Sequence, residues 1–536
     1  MGNFLSVLRV AAFVVLVGAA YTVISILKNY VVRSPLDNIP RPPRGHWMYG
    51  NLRQLFSRNG WEFNNSINSD YGPVVKLHGM FGTRQLYVYD PLALSSIVVK
   101  DQYVYEETPE FLGQFHCVLG DGLLATMGER HRRQRRLLNP VFSIAHMRHM
   151  LPIFYNITSR LQEAISKRVK DGQQEIDVLD WMGRTALELV GQAGLGWSFD
   201  PLVNDTVDSN LGTAVKALIP ALYSTRLLRF LLPPSLKIGS PALRRRLLDF
   251  VPHAGVQQVR RIADEIDEQS RHIFEEKKRA MREGDEAVMH QIGEGKDVMS
   301  KLMQANMAAN EADKLPEDEL LGQMATFIFA GMDTTSNALA RTIGLLSKHP
   351  DVQDKLRAEL LEAIREYGPE SRTTPSSNFP TYPPIPWLIR NTREDIVMPL
   401  SAPIRGVDGT LINEIPVPKV TNVHIAAMAS NRNPQLWGPD AGEWKPERWL
   451  NPLPETVKEA HLPGVYANLM TFLGGGHACI GFKFSQLEMS TYYDDIALKK
   501  SLPIHIYWNL AGIQYPTVDM YIKPEMPMKV AFVKSS

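Results

Sequence analysis

A long and almost uncharged stretch from residue 316 to residue 348 constrains the fold more than any other part of the chain. It begins PEDELLGQMATFIFAGMDTTSN, and between residues 320 and 347 only Asp333 and Arg341 are charged. At a rise of about 1.5 Å per residue, a helix over the whole stretch would measure about 50 Å. A helix with so few charges must be buried on most sides, so we predict a large helical domain around it.

The composition supports a globular protein with one large core. The 536 residues are 44% hydrophobic and 21% charged, which excludes a disordered chain. Strand-like alternation is limited to residues 74–79, 84–90 and 398–427. We therefore predict a mainly α fold with a small β part, an α+β class, in one domain. The net charge of +1 gives no reason to expect a nucleic-acid partner, and two cysteines exclude a disulfide scaffold.

The N-terminal residues contain a candidate membrane anchor. Residues 10–27 carry no charge and would span roughly 27 Å as a helix. A cleaved signal peptide is the alternative, but its apolar part is usually shorter. We predict an anchor over residues 1–33 with one transmembrane helix at about 10–27, then a proline-rich hinge over 34–51. Basic residues follow the span, which places the bulk of the chain on the cytoplasmic side.

A glycine-rich run around Cys479 carries the most specific chemistry. It reads FLGGGHACIGF over residues 472–482 and precedes a helix-like stretch. The glycines allow a flat ligand to approach the backbone, and a helix N-terminus favours a cysteine thiolate. From the residues alone, the thiolate could be a nucleophile, a zinc ligand or an iron ligand. Zinc is disfavoured because no second His or Cys has ligand spacing.

The same run resembles the haem-binding loop of the cytochrome P450 superfamily. Phe472, Gly475, His477, Cys479 and Gly481 stand at the matching places, with His477 where the family more often has arginine. The resemblance implies haem b as the cofactor, with Cys479 as the axial thiolate ligand of its iron. It also implies a P450-type fold behind the N-terminal transmembrane helix.

The motif AGMDTT in the long helix resembles the oxygen-activation motif of the same superfamily. By that match, Asp333 and Thr334 relay protons, and Ala330 and Gly331 line the pocket beside the haem. The plain structural alternative is that Thr334 bonds back to the carbonyl one turn earlier while Asp333 forms a salt bridge. The two motifs occur together, which favours the functional interpretation.

Three further positions resemble haem-propionate ligands of the family, since arginine suits a carboxylate. His131 and Arg135 lie in the basic helix GERHRRQRRLLNPVF, and Arg390 ends the segment PPIPWLIR. Arg448, in KPERW, matches a structural arginine. Cys117 has no such context, and we expect a buried small hydrophobic residue there.

Two segments depart from the family pattern. The family has a Glu-x-x-Arg helix before PPIP, but residues 368–382 read GPESRTTPSSNFPTY, and EAIR at 362–365 lies too far upstream. The polar run STYYDDIALKKS follows Met489 where the family continues with apolar residues. Because Arg448 would lose its partners in a buried ion network, we expect this chain to bind haem poorly.

The resemblance implies a membrane-anchored monooxygenase of the eukaryotic microsomal, fungal-like type. It would insert one oxygen atom from O2 into a small apolar substrate of secondary metabolism, with NADPH electrons supplied by a separate flavoprotein reductase. The catalytic domain, residues 52–536, would face the cytoplasm at the endoplasmic reticulum membrane. Alternatives are an inactive, haem-deficient variant, a haem-thiolate isomerase or dehydratase, and, remotely, a hydrolase that uses Cys479.

Aromatic and apolar residues predict where the substrate would lie. The candidates are Phe111, Phe115, Phe329, Trp387 and Leu388. Residues 223–250, rich in Leu, Arg and Phe, could contact a membrane or admit an apolar ligand, or simply pack as amphipathic helix. The polar stretch 277–298 is expected to form an exposed loop.

Overall fold

The computed structural model describes residues 23–24, 26–173, 175–202, 210–367, 382–490, 496–500, 505–510, 512–519 and 523–532. Most of the predicted transmembrane span 10–27 lies outside these ranges. Within them, residues 26–31 are helical, and none of the helices has both the length and the apolar character that a bilayer crossing requires. The N-terminal transmembrane helix therefore stays a prediction.

Helices make up most of the described chain. They are α1 Leu52–Leu55, α2 Trp61–Asp70, α3 Pro91–Ser95, α4 Pro109–Leu119, α5 Gly128–Leu138, α6 Ile144–Met147, α7 Leu151–Lys170, α8 Val178–Leu189, α9 Leu211–Ser224, α10 Leu232–Ser235, α11 Pro241–Leu248, α12 Ala254–Glu283, α13 Asp285–Met289, α14 Val298–Ala308, α15 Glu317–Leu346, α16 Pro350–Tyr367, α17 Ala427–Asn431, α18 Pro434–Trp437, α19 Glu455–Glu459 and α20 Phe482–Ser490. Short 3-10 and π-helical turns connect several of them.

The strands form small sheets, as the sequence predicted. They are β1 Val74–His78, β2 Arg84–Val88, β3 Tyr105–Glu107, β4 Glu175–Asp177, β5 Leu388–Thr392, β6 Ile396–Arg405, β7 Leu411–Val417, β8 Asn422–Ile425, β9 Ile496–Lys500, β10 Ile506–Asn509, β11 Tyr515–Val518 and β12 Pro527–Phe532. The largest sheet has the order β1-β2-β8-β5-β3, in which only β2 and β8 are parallel. The mainly α fold with a small β part is confirmed.

The β1–β2 hairpin has the predicted form. Its register pairs Val74 with Val88 and His78 with Arg84. Gly82, in the connecting turn, has φ +77°, a conformation that glycine adopts without strain. The proline-rich segment before β1 packs onto this sheet, because Leu36 is buried there and Lys76 donates its N–H to the carbonyl of Pro40 (2.8 Å).

Helix α15 lies at the centre of the largest core, as its lack of charge predicted. It contacts α8, α9 and α12, and almost every side chain between Glu319 and Leu346 is buried. Acidic residues occupy its first turn, where carboxylates interact favourably with the positive end of the helix dipole. Because α15 is held on several sides, the side chains at its middle are placed rigidly.

Two local predictions are wrong. Residues 277–298 are not an exposed loop, because α12 continues to Glu283 and Lys277 is buried in an ion pair with Asp297 (3.0 Å). Polar residues here face each other inside the protein, a pairing that composition alone does not reveal. Cys117 is exposed on α4 and is not a buried hydrophobic residue.

The two departures from the family pattern lie mostly outside the described ranges, namely residues 368–381 and 491–495. EAIR lies in the last turns of α16, as the sequence indicated. The expectation that Arg448 lacks an acidic partner is wrong. Its guanidinium donates to Oδ1 of Asp440 (2.9 Å) and to the carbonyl of Trp437 (2.7 Å), so its charge is compensated.

Candidate active site

The glycine-rich loop presents Cys479 just before α20. The N–H of Cys479 donates to the carbonyl of Phe472 (2.9 Å), which closes the loop. Gly475 has φ +66°, and a Cβ there would lie 1.7 Å from the carbonyl oxygen of Val98, so a side chain does not fit. At Gly481 an added Cβ would meet nothing within 4 Å. The loop is therefore packed against the backbone at Gly475, whereas the space beside Gly481 is empty.

The thiol of Cys479 is enclosed by protein and still has accessible surface, so it borders an internal space. Burial raises the pKa of the thiol, whereas the N–H of Gly481 and the charge of Arg135 act to lower it. The net direction is opposite to the sequence prediction, because desolvation outweighs the helix terminus. A metal cation bound to the sulfur would supply the missing stabilisation of the thiolate.

Basic side chains gather beside the thiol. The rings of His131 and His477 stack with centroids 4.3 Å apart, and Arg135 Nη1 donates to the carbonyl of Ala478 (2.8 Å). Burial, helped by Arg135 and Arg390, lowers the pKa of His131 to about 4. Burial, helped first by His131 and then by both arginines, lowers the pKa of His477 to about 3. Both imidazoles are thus neutral at pH 7, and the arginines supply the positive charge.

Arg390 is positioned by β5 but already has a carboxylate partner. Its Nη1 lies 2.6 Å from Oε1 of Glu107 on the neighbouring β3, and both side chains are largely buried. Glu106 lies near His477 (3.8 Å). The structure brings Arg390 to the predicted cluster, and its role toward a haem propionate stays a prediction.

A buried carboxylate fixes the helix that carries His131 and Arg135. Oε1 of Glu319, in the first turn of α15, accepts from Arg130 and from Arg133 (2.7 Å each). These residues lie on one face of α5, which leaves the next positions free to face the loop. The basic run of α5 therefore divides into a structural face and a face beside Cys479.

Asp333 is buried at the middle of α15, and its partner comes from α9. The Nζ of Lys216 lies 3.4 Å from its Oδ1 and also donates to Oγ of Ser336, while Asn337 Nδ2 donates to the same carboxylate oxygen (3.0 Å). Burial raises the pKa of Asp333, and Lys216 and Asn337 act against that rise. The carboxyl group of Asp333 therefore holds a proton more readily than an exposed aspartate does.

Thr334, Ala330 and Gly331 are half-buried near the middle of α15, between residues that are mostly buried. Thr334 Oγ1 donates to the carbonyl of Ala330 (2.7 Å). Both parts of the plain structural alternative are thus present, namely the back-bonded threonine and the ion-paired aspartate. The partial exposure of Thr334, Ala330 and Gly331 leaves room beside the helix at this point, and their predicted role toward a ligand stays a prediction.

The apolar candidates divide into two groups. The ring of Phe115 lies 4.6 Å from that of Phe111 and 5.6 Å from that of Phe329, so these three form one aromatic wall beside α15. Trp387 belongs to a different cluster with Phe56 (5.8 Å), and Leu388 packs under the large sheet. Trp387 and Leu388 thus pack apart from the aromatic wall, and their place in the pocket stays a prediction.

Sequence reasoning missed Lys216. Its signal was present, because it is the one charge in the apolar run LGTAVKALIPAL. It also missed the contact behind the loop, where Thr335 Oγ1 lies 3.4 Å from Ser485 Oγ on α20. Glu488, on the same helix, is fully buried, and burial raises its pKa well above the usual range while a hydrogen bond with Thr335 acts to lower it. These contacts join α15 to the helix that follows Cys479.

Comparisons with known proteins agree with this geometry. The family profile described as Cytochrome P450 matches residues 40–496. The chain belongs to the cytochrome P450 family. It is 56% identical to Cytochrome P450 monooxygenase 91 of Postia placenta, over 99% of this chain and 100% of that protein. It is 48% identical to Cytochrome P450 monooxygenase 219 of the same fungus, over 95% and 96%. A ganoderic acid synthetase of Ganoderma lucidum is 44% identical, over 96% and 98%.

These matches identify the chain as a fungal P450 monooxygenase, and the family implies haem iron with a cysteine thiolate. The described residues fit that group. An accessible sulfur borders an internal space, an open position lies before Gly481, and Arg135 provides positive charge for a carboxylate. The neutral His131 and His477 offer hydrogen bonds and a flat stacked surface.

Proposed function

We propose that the protein inserts one oxygen atom from O2 into a small apolar substrate, with NADPH electrons delivered by a separate flavoprotein reductase. Two observations carry the proposal. Cys479 is accessible after its glycine-rich loop, and Ala330, Gly331 and Thr334 are half-buried in the core helix. The names of the Postia placenta relatives support the reaction class. The name of the Ganoderma lucidum relative supports a role in secondary metabolism.

Cys479 would hold the haem through its thiolate, and Arg135, His131 and His477 would hold the carboxylates at the rim. The haem supplies the binding and reduction of O2 and the oxidation of the substrate. The protein contributes a fixed loop, because Gly475 packs against Val98 and leaves the backbone no room to shift. By resemblance, Arg390 would also bind a haem carboxylate, and the carboxylate of Glu107 competes with the haem for this arginine.

Asp333 and Thr334 would supply protons at this level of α15. The carboxyl of Asp333 holds a proton more readily than an exposed aspartate because burial raises its pKa. The hydroxyl of Thr334 can leave the carbonyl of Ala330 and donate toward the open side. Lys216 holds the charged form of Asp333 in place between proton transfers.

The substrate would be apolar, because Phe111, Phe115 and Phe329 wall the space and offer no hydrogen bond. A terpenoid, sterol, fatty acid or aromatic compound fits that chemistry. Such a wall also keeps water away from the reacting atoms.

The protein would work at the endoplasmic reticulum membrane with its catalytic domain in the cytoplasm, held by a helix at about 10–27. Two features of the described residues support contact with lipid. Val23, Ile24 and Val31 are exposed. The second feature is the segment 223–250, which exposes Phe230 and Phe250 beside several arginines.

The reduced, carbon monoxide-bound spectrum of the purified protein tests the proposal. A Soret band at the long-wavelength thiolate position is expected, followed by product formation with NADPH, a P450 reductase and an apolar compound panel. Haem binding without any NADPH-dependent oxygenation would favour an isomerase or dehydratase. Absence of a haem band under haem-replete expression would favour the haem-deficient variant or the hydrolase.

A further inference from the structure

A second cavity, of about 480 Å³, lies at the C-terminal part of α15, away from Cys479. Its walls include Trp61, Tyr382 and Trp508, and Arg341, Lys348 and Arg432 provide three positive charges. None of its described lining residues is an aspartate or a glutamate. The cavity is therefore polar and positive, unlike the aromatic space beside Phe115.

Two of the cations lie against one aromatic ring. The guanidinium carbon of Arg341 is 4.3 Å from the centroid of Tyr382, and that of Arg432 is 4.9 Å from it. Arg341 also lies 4.5 Å from the centroid of Trp508. Stacking on aromatic faces fixes the planes of both guanidinium groups and leaves their N–H edges available.

The Nε–H of each guanidinium group lacks an acceptor, although Arg341 also has a hydrogen bond with Tyr382. The Nε atoms of Arg341 and Arg432 are buried without a hydrogen-bond partner, and within the described ranges no carboxylate pairs with either side chain. Two like charges near one ring repel each other, and partial burial strengthens the repulsion. Burial lowers the pKa of Arg341 to about 10, and Arg432 adds to that effect while Tyr382 opposes it.

The walls are held rigidly. The indole N–H of Trp61 donates to the carbonyl of Trp508 (2.7 Å), and Leu510 donates its N–H to the carbonyl of Arg58 (3.0 Å). The cavity therefore does not depend on a mobile side chain for its shape, and the cations are kept in place for a ligand.

We propose that this cavity binds a phosphate group, as inorganic phosphate or as the phosphate of a monoester. Planar guanidinium groups donate two parallel hydrogen bonds to phosphate oxygens, and the ammonium of Lys348 adds a third positive contact. A dianion would compensate the two guanidinium charges of Arg341 and Arg432. The site is distinct from the haem site, so binding there needs neither haem nor O2.

Calorimetric titration of the detergent-solubilised full chain tests the proposal, with inorganic phosphate, glycerol 3-phosphate and dihexanoyl phosphatidic acid as probes. Saturable binding at one site per chain is expected. Similar affinity for the last two probes would assign the site to free phosphate compounds. Much tighter binding of the phosphatidic acid would assign it to a lipid headgroup. Absence of saturable binding of all three probes overturns the proposal.

Variants locate the site. Arg341→Gln and Arg432→Gln should each weaken phosphate binding by about tenfold or more, because charge-assisted hydrogen bonds are lost. Arg405→Gln, at an exposed arginine of β6, is the matched control and should leave the affinity unchanged. Unchanged binding in both cavity variants overturns the proposal, and so does an equal loss in the control.

Melting temperatures with and without phosphate give a second test, which does not depend on both variants being fully stable. Without phosphate, either variant should melt at the same temperature as the parent chain or higher, because one of two repelling charges is gone. Added phosphate should raise the melting temperature of the parent chain and not that of the variants. A phosphate effect of equal size in parent and variants would show nonspecific ion binding and would refute the site.

Discussion

The ammonium group of Lys216 lies 3.4 Å from Oδ1 of Asp333, with only 15% of the lysine side chain exposed. The pair joins α9 to the middle of α15 across the core. It gives Asp333 a fixed counter-charge, so the lysine affects both the position and the ionisation of the aspartate.

Lys216→Met should lower the free energy of unfolding by about 3–5 kcal/mol, because it leaves a buried carboxylate without its cation. Chemical denaturation of both proteins measures the change. The double variant Lys216→Met, Asp333→Asn should recover most of the loss, since no buried charge then remains. A double variant as unstable as the single one would show that the lysine acts through packing and not through its charge.

Thr334→Ala should leave folding and haem content intact and should uncouple NADPH use from product formation, with peroxide released instead. The reason is the loss of the hydroxyl that can donate from the accessible level of α15. The measurement is the ratio of product and of peroxide to NADPH consumed.

Thr342→Ala is the matched control for that change. Thr342 Oγ1 donates to the carbonyl of Ala338 (3.0 Å) in the same helix, but its side chain is fully buried. Thr342 makes the same hydrogen bond to a backbone carbonyl but is not accessible. The Thr342→Ala variant should therefore form as much product per NADPH as the parent. An equal ratio of product to NADPH in the parent and in both variants would mean that Thr334 has only a structural role.

Cys479→Ser should abolish the thiolate signature in the carbon monoxide spectrum, because a neutral hydroxyl does not replace an anionic sulfur at iron. Cys117→Ser, at the other cysteine of the chain, should leave the spectrum unchanged. Haem content per mole, measured beside the spectrum, separates loss of the ligand from loss of the cofactor. A normal thiolate band in the Cys479 variant would contradict the assigned ligand.

The long helix and the β1–β2 hairpin could be predicted from sequence, because periodicity and turn glycines are local signals. The resemblance of the basic helix placed His131 beside the cysteine loop, where it stacks on His477. Pairings between distant segments could not be predicted. The partners of Arg448, Lys277 and Asp333 each come from another element, and sequence patterns do not state which elements meet. The expectation for Arg448 therefore failed, and so did the exposed loop at 277–298, because polar side chains there pair inside the protein.

His424 should make stability fall as the pH falls. It is fully buried on β8, its Nε2 contacts Oε1 of Gln85 (2.7 Å), and burial lowers its pKa to about 4. An unfolded histidine takes up a proton near pH 6.5, so between pH 6.5 and 4 the unfolded chain binds more protons. Above pH 6.5 the neutral His424 makes its full contribution to the free energy of unfolding. Up to about 3 kcal/mol of that contribution is lost by pH 4.

Denaturation of the parent and of His424→Gln at several pH values measures this effect. The variant has no titrating group at this position, so its stability should change less between pH 6.5 and 4. His290→Gln, at an exposed histidine, should keep the slope of the parent. Equal slopes in all three proteins would show that other buried groups dominate the acid response.

Haem content should rise when a family-like helix replaces the residues between Tyr367 and Tyr382. The run GPESRTTPSSNFPTY is polar and broken by prolines, so it cannot bury the apolar face that a helix would. An unpaired Arg448 is no longer a reason, because Asp440 accepts from it. Asp440→Asn in the parent serves as a control that weakens the ion pairs of Asp440 with Arg448 and Lys445 and leaves residues 368–381 unchanged. Stoichiometric haem in the parent and in the restored chain would show that residues 368–381 suffice as they stand.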